Sequence, residues 1–532
     1  VHQFKLILLS ILSGLLLFIA WPPLPFAFCI FFAWLPLLFI ADKVTKKNSF
    51  FGYAFLTLFI WNVCTTWWIW NSTDIGSIFA IAANSLVMYL PWWGYINLKR
   101  KFGTKIGYFS LIAFWMLFEF IHLNWELSWP WLSLGNVFAE KTNWIQWYEF
   151  TGIGGGSLWI LIFNILLYDL LVKISQQQLI PLTLQWKIKR ITTLFLVIII
   201  PAVISISLPL NNFDEKSTTT NVVIIQPNID PYQKFESTSI SNQIQKLISL
   251  SEQKIDTNTT LVIWPETALS AQIPINEITI APIYQSVFEF IHRHPNITLL
   301  TGIETYKIFN ETTQYTQKAA QGFYYESYNA AIALNSKDGM QVYYKSKLVP
   351  GVETLPSFLN LLAPLFEKFG GTTGGYAKDI SSKVFTIHHQ PTIAAPIICY
   401  ESIYGAYVAS YVQKGANLIT IITNDGWWGN TAGHQQHLAY AKLRAIETRH
   451  WVARSANTGI SAVIDNYGNI KTSKGWDEEG SLQYTIPIQN NKQTFYVKYG
   501  DYLYKIFAVI ALILIGWNII DKLKNRNQLI KK

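Results

Sequence analysis

TIAAPIICYESIYG, residues 392–405, decides how the middle of this chain folds. Its apolar run up to Ile398 is far shorter than the roughly 20 residues a membrane span takes, and it reads as a buried strand. Cys399 ends that strand, and Tyr400 and Glu401 follow at once, opening a helix. A thiol at a strand-to-helix junction meets the positive end of the helix dipole, which favours the thiolate. Runs of the same kind recur on either side: NVVIIQ from Asn221, TLVIWP from Thr260, ITLLTGI from Ile297, NAAIALN from Asn329, QVYYK from Gln341 and LITIITN from Leu418. Strands alternating with longer helical stretches, from about Thr218 to Ile488, make this region an α/β domain.

Two more strand ends carry chemistry. VIWPETAL, residues 262–269, passes through Trp264 and Pro265 and presents Glu266 at the carboxyl end of a buried strand, the usual place for catalytic groups in α/β sheets. YYKSKLVPGVETLP, residues 343–356, ends a strand at Lys345 and runs into an irregular loop holding Glu353. Taken singly, each residue has a bland reading. A lone Cys is most often a small core residue, a lone Glu a helix cap or solvated charge, a lone Lys a surface cation. The combination of an acid, an ammonium and an unpaired thiol at three strand ends is what points to a site. Glycine-rich phosphate loops, metal-ligand spacings and G-x-S-x-G elbows do not occur, so neither cofactor nor metal is expected. His434 and His437 lie three apart in a helix and read as helix-surface or substrate-contact residues.

Outside this domain the chain is made for lipid. Of 532 residues, 51% are hydrophobic and 14% charged, too apolar for a soluble protein of this length. About eight runs long enough to cross a bilayer extend from Phe4 to Ala20, Pro25 to Ala41, Phe50 to Trp70, Gly76 to Asn97, Gly107 to Leu123, Gly155 to Val172, Ile191 to Leu210 and Tyr504 to Ile520. The first reads as a retained span, since no small-residue cleavage site follows it. The net charge of +9 does not indicate nucleic acid, because the basic residues fall in short loops. Those loops hold Lys43, Lys46 and Lys47; Lys99, Arg100, Lys101 and Lys105; Lys173, Lys187, Lys189 and Arg190; and a tail ending in Lys531 and Lys532. The alternate loops hold only Lys141. By the positive-inside rule both termini are cytoplasmic and the α/β domain lies outside. The expected organisation is a bundle over residues 1–210, an extracytoplasmic domain over 211–503, and a last span with a basic tail over 504–532. Cys29 and Cys64 sit in apolar runs, so a disulfide framework is not expected. The Trp-rich loop WELSWPWLSLGN, residues 125–136, reads either as a re-entrant segment at a lipid entrance or as an aromatic belt. Intramembrane charge is sparse, mainly Glu119 and His122, which is poor in ion-coupling groups for a transporter.

At its three strand ends the sequence resembles the nitrilase superfamily, which implies a Glu, Lys, Cys triad on an αββα sandwich. With the flanking spans it is similar to the membrane-embedded branch of that superfamily, the apolipoprotein N-acyltransferases. The motifs that carry the resemblance are WPET around Glu266, YNA from Tyr328, KSKLVP from Lys345, CYE from Cys399, TNDGWWG from Thr423, the helix of His434, His437, Arg444 and Glu447, and ANTGIS from Ala456. The resemblance implies Cys399 as nucleophile, Glu266 as general base and Lys345 as the charge that steadies the oxyanion, supported by Glu353, Tyr400, Glu401, Phe235, Trp264, Asn424 and Trp427. It implies acyl transfer from a phospholipid, phosphatidylethanolamine in particular, through a cysteine thioester to the N-terminal amine of a diacylglyceryl apolipoprotein, by a monomer in the bacterial inner membrane with a periplasmic catalytic domain. The sequence departs from the family in reading LVPGVE where relatives read L-V-P-F-G-E, and in having Phe235 where relatives often have Trp. GGTTGGY, residues 370–376, reads as a lid over the acyl site. Without the resemblance, acyl transfer and hydrolysis by a membrane-tethered amidase remain equally open.

Overall fold

The computed structural model describes residues 2–176, 183–208, 218–231, 239–313, 315–354, 375–488 and 493–530. The chain forms two compact units, one of Val1–Trp67, Ser77–Leu208 and Asp501–Lys532, the other of Trp68–Gly76 and Pro209–Gly500.

The first unit is helical. Among the described residues seven helices are long and apolar enough to cross a membrane: Gln3–Ala20, Lys47–Thr73, Ile75–Phe102, Thr104–Asn124, Tyr148–Ser175, Leu184–Ser207 and Tyr502–Arg526. The expected span from Pro25 to Ala41 is not a single helix. It breaks into a 3-10 turn Ala27–Cys29 and two helices, Ile30–Ala33 and Leu35–Lys43. Pro36 has no N–H to give to the preceding turn, and the break is closed by a side chain instead. Asn164 accepts from the Trp34 N–H at 3.1 Å and donates to the Ile30 carbonyl at 3.0 Å, satisfying backbone groups that lipid cannot.

The Trp-rich loop is an interior element of this unit and not a surface belt. Its 3-10 turns Pro130–Leu132 and Leu134–Phe138 bury Trp131, Leu134 and Phe138 completely. The Glu119 carboxylate holds them, accepting from the Leu134 N–H (2.8 Å), the Trp115 indole (2.9 Å) and the Ser157 and Tyr504 hydroxyls (both 2.7 Å). Gly135 must be glycine, since a Cβ there would lie 2.0 Å from the Ile153 carbonyl oxygen.

The second unit is built from two sheets. The first comprises β1 (Thr218–Gln226), β2 (Thr259–Ile263), β3 (Leu269–Pro274), β4 (Thr298–Phe309), β5 (Gln317–Lys318), β6 (Tyr324–Asn335), β7 (Gly339–Tyr344) and β14 (Gly480–Ile488), in the order β14-β1-β2-β4-β6-β5 with β3 on β4 and β7 on β6. The second is ordered β13-β12-β11-β10-β9-β8, from β8 (Phe385–Thr386), β9 (Ile393–Ile398), β10 (Leu418–Thr423), β11 (Val452–Ala456), β12 (Ser461–Ile464) and β13 (Ile470–Lys474). The apolar strand runs are explained by burial on both faces. Val222 and Ile224 of β1 join Ile397, Ile421 and Val463 in the core between the sheets. The alternate residues, Val223 and Ile225, pack with Ile244 and Leu247 of helix α1 (Ile240–Glu252) and with Phe290 of α2 (Gln285–Arg293). Helices α3 (Gly405–Gln413) and α4 (Ala432–Thr448) belong with the second sheet. The result is the expected αββα sandwich, in which Lys345, Cys399 and Asn424 directly follow β7, β9 and β10, and Glu266 lies in the turn just after β2.

Candidate active site

Glu266 is held by its backbone before it meets any partner. The Trp264 N–H donates to the Leu300 carbonyl at 2.9 Å, and the Gly302 N–H to the Pro265 carbonyl at 3.1 Å, so the turn after β2 stays laced to β4. Gly302 permits this closeness, because a Cβ would lie 2.6 Å from the Glu266 Cα. The carboxylate then receives three donors: Lys345 Nζ on Oε1 at 3.1 Å, Asn329 Nδ2 on Oε1 at 2.8 Å, and the Asn424 N–H on Oε2 at 3.1 Å.

Lys345 is 1% exposed and also bonds Glu353 Oε1 at 2.8 Å. Burial pushes its ammonium down, but the Glu266 and Glu353 carboxylates outweigh that and hold it well above the usual lysine range. It is a buried cation at neutral pH. The LVPGVE departure leaves Glu353 in place. Gly351 takes a left-handed φ of 79°, and the turn closes with the Val349 N–H on Glu353 Oε2 at 2.8 Å.

Cys399 has a φ of +49°, a conformation non-glycine residues rarely adopt, and sits in a turn of 3-10 helix, Cys399–Ile403. Glu401 fixes that turn. Its Oε2 accepts the Ile398 N–H at 2.9 Å, while Oε1 accepts the Ser346 N–H at 2.7 Å, the Lys347 N–H at 3.2 Å and the Tyr343 hydroxyl at 2.5 Å. One carboxylate thus ties the lysine loop to the cysteine turn. Burial pushes its pKa up to about 7 against the pull of these donors. All four bonds are donated to it, so Glu401→Gln would turn an amide NH2 toward an N–H or hydroxyl donor on one side. Turnover is expected to fall by roughly 10- to 100-fold with the protein still folded, as read by activity per monodisperse enzyme. Wild-type activity would mean that the two loops hold without it.

The expected thiolate is not the resting state. The helix after Cys399 is a single 3-10 turn, burial pushes the thiol well up, and Glu266 and Asp425 push it further, against Lys345 and Thr423. The dipole of one short turn does not overcome loss of water.

Behind the cysteine lies a group that sequence reading did not assemble. Asp425 is 2.9 Å from His437 Nδ1 and 2.6 Å from Arg454 NH2, and His437 Nε2 is 2.9 Å from the Ser402 hydroxyl and 3.2 Å from the Cys399 carbonyl. All three charged or titratable groups are fully buried. His437 is therefore no helix-surface residue, and His434 is buried as well, against the Trp476 ring at 4.4 Å. Arg444 and Glu447 pair at 3.0 Å inside α4 and brace the Ile403 carbonyl. Asn329 was equally hidden, although the YNA motif marked its place; it bonds both Glu266 and Glu353.

Trp264 is not part of this cluster. It packs at 0% exposure in the core between the first sheet and its helices, donating to the Ser251 hydroxyl at 2.9 Å. Tyr400 is buried with its ring 5.4 Å from that of Tyr404, while Trp427 is 37% exposed. Phe235 and residues 370–374 of the expected lid lie outside the described residues; the end of that stretch, Tyr376, bonds Glu304 at 2.9 Å and, through its N–H, the Glu353 carbonyl.

Known proteins match both units. The carbon-nitrogen hydrolase family model matches residues 221–495, and the apolipoprotein N-acyltransferase N-terminal domain model matches residues 13–166. A relative from Chlorobaculum tepidum named apolipoprotein N-acyltransferase is 30% identical over 519 residues, 95% of each chain. The chain belongs to the apolipoprotein N-acyltransferase family. Other apolipoprotein N-acyltransferases agree: one from Treponema denticola is 27% identical over 89% of this chain and 88% of its own, and one from Rickettsia prowazekii 27% over 78% and 77%. Like the other apolipoprotein N-acyltransferases, this chain is an acyltransferase of the nitrilase superfamily that also carries span-length helices.

Proposed function

We propose that this enzyme moves a fatty acyl group from a membrane phospholipid, phosphatidylethanolamine in particular, through a thioester on Cys399 to the α-amine of diacylglyceryl-cysteine at the start of an apolipoprotein. The reading rests above all on one observation: Lys345, fully buried, bridges Glu266 and Glu353 beside the turn that carries Cys399, whose thiol burial pushes up. A neutral thiol suits a site where proton removal and attack are joined. As Sγ attacks the ester carbon, its proton passes to Glu266, and the charge on the carbonyl oxygen falls to Lys345 and nearby N–H groups. Collapse expels the lysophospholipid oxygen, which takes that proton. The acceptor amine then attacks the thioester, Glu266 accepts its proton, and Cys399 leaves as thiolate and is reprotonated.

Glu353, Asn329 and Glu401 keep these groups in register, and Tyr400, Phe235 and Trp427 are proposed as walls for the lipid. Trp264 supports the site only by packing behind Glu266. A monomer is proposed as the working form. We place the catalytic unit on the periplasmic side of the inner membrane with both termini cytoplasmic, on the asymmetry of Lys and Arg among the short loops. This counts the broken segment 27–43 as a crossing.

The test is intact mass after incubation with phosphatidylethanolamine. Wild type should gain one acyl group, discharged by a diacylglyceryl-cysteinyl peptide, and Cys399→Ala should gain none. Free fatty acid as the main product, without an adduct, would instead make the enzyme a hydrolase.

A further inference from the structure

The turn Asp425–Trp428 is gripped at both ends. At its start, the Asn424 N–H bonds Glu266 and Asp425 reaches His437, which lies against the Cys399 carbonyl. Its other end is held by residues more than 350 positions earlier. Asn71 Nδ2 donates to the Trp428 carbonyl at 2.8 Å, and the Ser72 hydroxyl to the Trp427 carbonyl at 3.4 Å. The Trp68 ring, 0% exposed, lies 4.9 Å from that of Trp428, which in turn lies 5.5 Å edge-on from His437. Two glycines make room. Gly429 turns the chain at a φ of +63°, and at Gly433 a Cβ would lie 2.7 Å from the Trp68 ring. Residues 68–73 end the span-length helix Lys47–Thr73 and residues 75–76 begin the next, yet 68–76 belong to the second unit.

We infer that residues 68–76 are a clamp on the Asn424–Gly429 turn, with Trp68 and Asn71 as positioning residues that set the Asn424 N–H against Glu266 and His437 against the cysteine turn. The inference rests on the proposed reading of Glu266 and Cys399. The contacts of Asn71, Ser72 and Trp68 that hold the turn are made to the Trp427 and Trp428 carbonyls and the Trp428 ring. Loosening the clamp shifts the geometry of the reacting groups, so the loss appears chiefly in the rate at saturation, and movement of Trp427, proposed as a wall for the lipid, adds only a smaller change in the lipid concentration required.

The experiment uses the full chain in phosphatidylethanolamine-containing micelles and follows single-turnover acylation of Cys399 against lipid concentration. Asn71→Ala is expected to lower the saturating rate roughly tenfold, with half-saturation within about twofold of wild type. Trp68→Phe should stay near wild type, since a ring is kept, while Trp68→Leu should fall with Asn71→Ala. An unchanged saturating rate in Asn71→Ala, or a change in half-saturation alone, overturns the clamp. Should Trp68→Leu fail to fold, Asn71→Ala still decides, because the Asn71 side chain is exposed. Cys399→Ala runs alongside: activity there would sink the thioester reading itself, whereas an inactive Cys399→Ala beside a fully active Asn71→Ala sinks the clamp only.

Discussion

Lys345→Met is expected to slow acylation of Cys399 by about a thousandfold or more. The methionine fills much of the space of the lysine stem but removes the ammonium bonded to Glu266 and Glu353. Two losses then coincide. The anion that builds on the ester oxygen loses the charge proposed to meet it, worth about 100- to 1,000-fold for one such donor. Glu266 also loses the partner that holds it in register, and faces Glu353 across the single amide of Asn329, which donates to both. Like charges so placed repel, so the carboxylate proposed as base moves or changes its charge state. Lys345→Arg is not expected to rescue, because a guanidinium has no room at a site 1% exposed and offers a planar fork where a compact cation sits. Intact-mass time courses at saturating lipid give the rate. Acylation of Lys345→Met within tenfold of wild type would remove Lys345 from the proposed chemistry and leave it a structural ion.

Local pattern made part of this site readable. Glu266, Lys345 and Cys399 announce themselves because each ends a short apolar run, and strand ends are where an α/β sheet exposes groups. What binds them together is long-range and polar, and leaves no period in the sequence. Asn329 reaches Glu266 across 63 positions, and Arg454 reaches Asp425 across 29. Trp264 shows the opposite error. It neighbours a catalytic candidate in sequence, and alternation alone would put residues two apart on one face, but β2 ends at Ile263 and the turn through Pro265 sends Glu266 to the site while Trp264 stays among the helices. The thiolate expectation failed for want of burial, which sequence does not supply: a dipole argument holds for an exposed helix start and not for a sulfur under two carboxylates. The membrane unit was legible by hydropathy in seven of its apolar runs. The eighth run is equally apolar, and only Pro36 and the distant Asn164 mark it as broken. The Trp-rich loop is similar, since it is the buried Glu119, outside the loop, that draws its backbone into the interior.

Arg454→Met should be the most destabilising single change in the catalytic unit, at about 3–5 kcal/mol. Arg454 lies on β11 with its guanidinium fully buried, 2.6 Å from Asp425 Oδ2 and bonded to the Ile460 carbonyl. Burial would raise the Asp425 carboxyl, but Arg454 and His437 hold it well below the usual 3.8. A carboxyl depressed in the folded state stabilises the fold above its unfolded pKa and loses that contribution as pH falls through the folded value. Removing Arg454 reverses the sign, because the same carboxylate becomes a buried charge lacking its main counter-ion. The cost of Arg454→Met should therefore be largest near pH 7 and shrink toward pH 4, where protonation of Asp425 relieves it. Adding Asp425→Asn should recover part of the loss at pH 7, since a neutral amide costs less to bury than an unpaired carboxylate. Thermal midpoints in detergent at the two pH values, for the single and double variants, measure both effects. A cost independent of pH, with the two substitutions adding, would mean that Arg454 acts through the packing of its stem and that the Asp425 charge is compensated by His437 and the Thr423 hydroxyl without it.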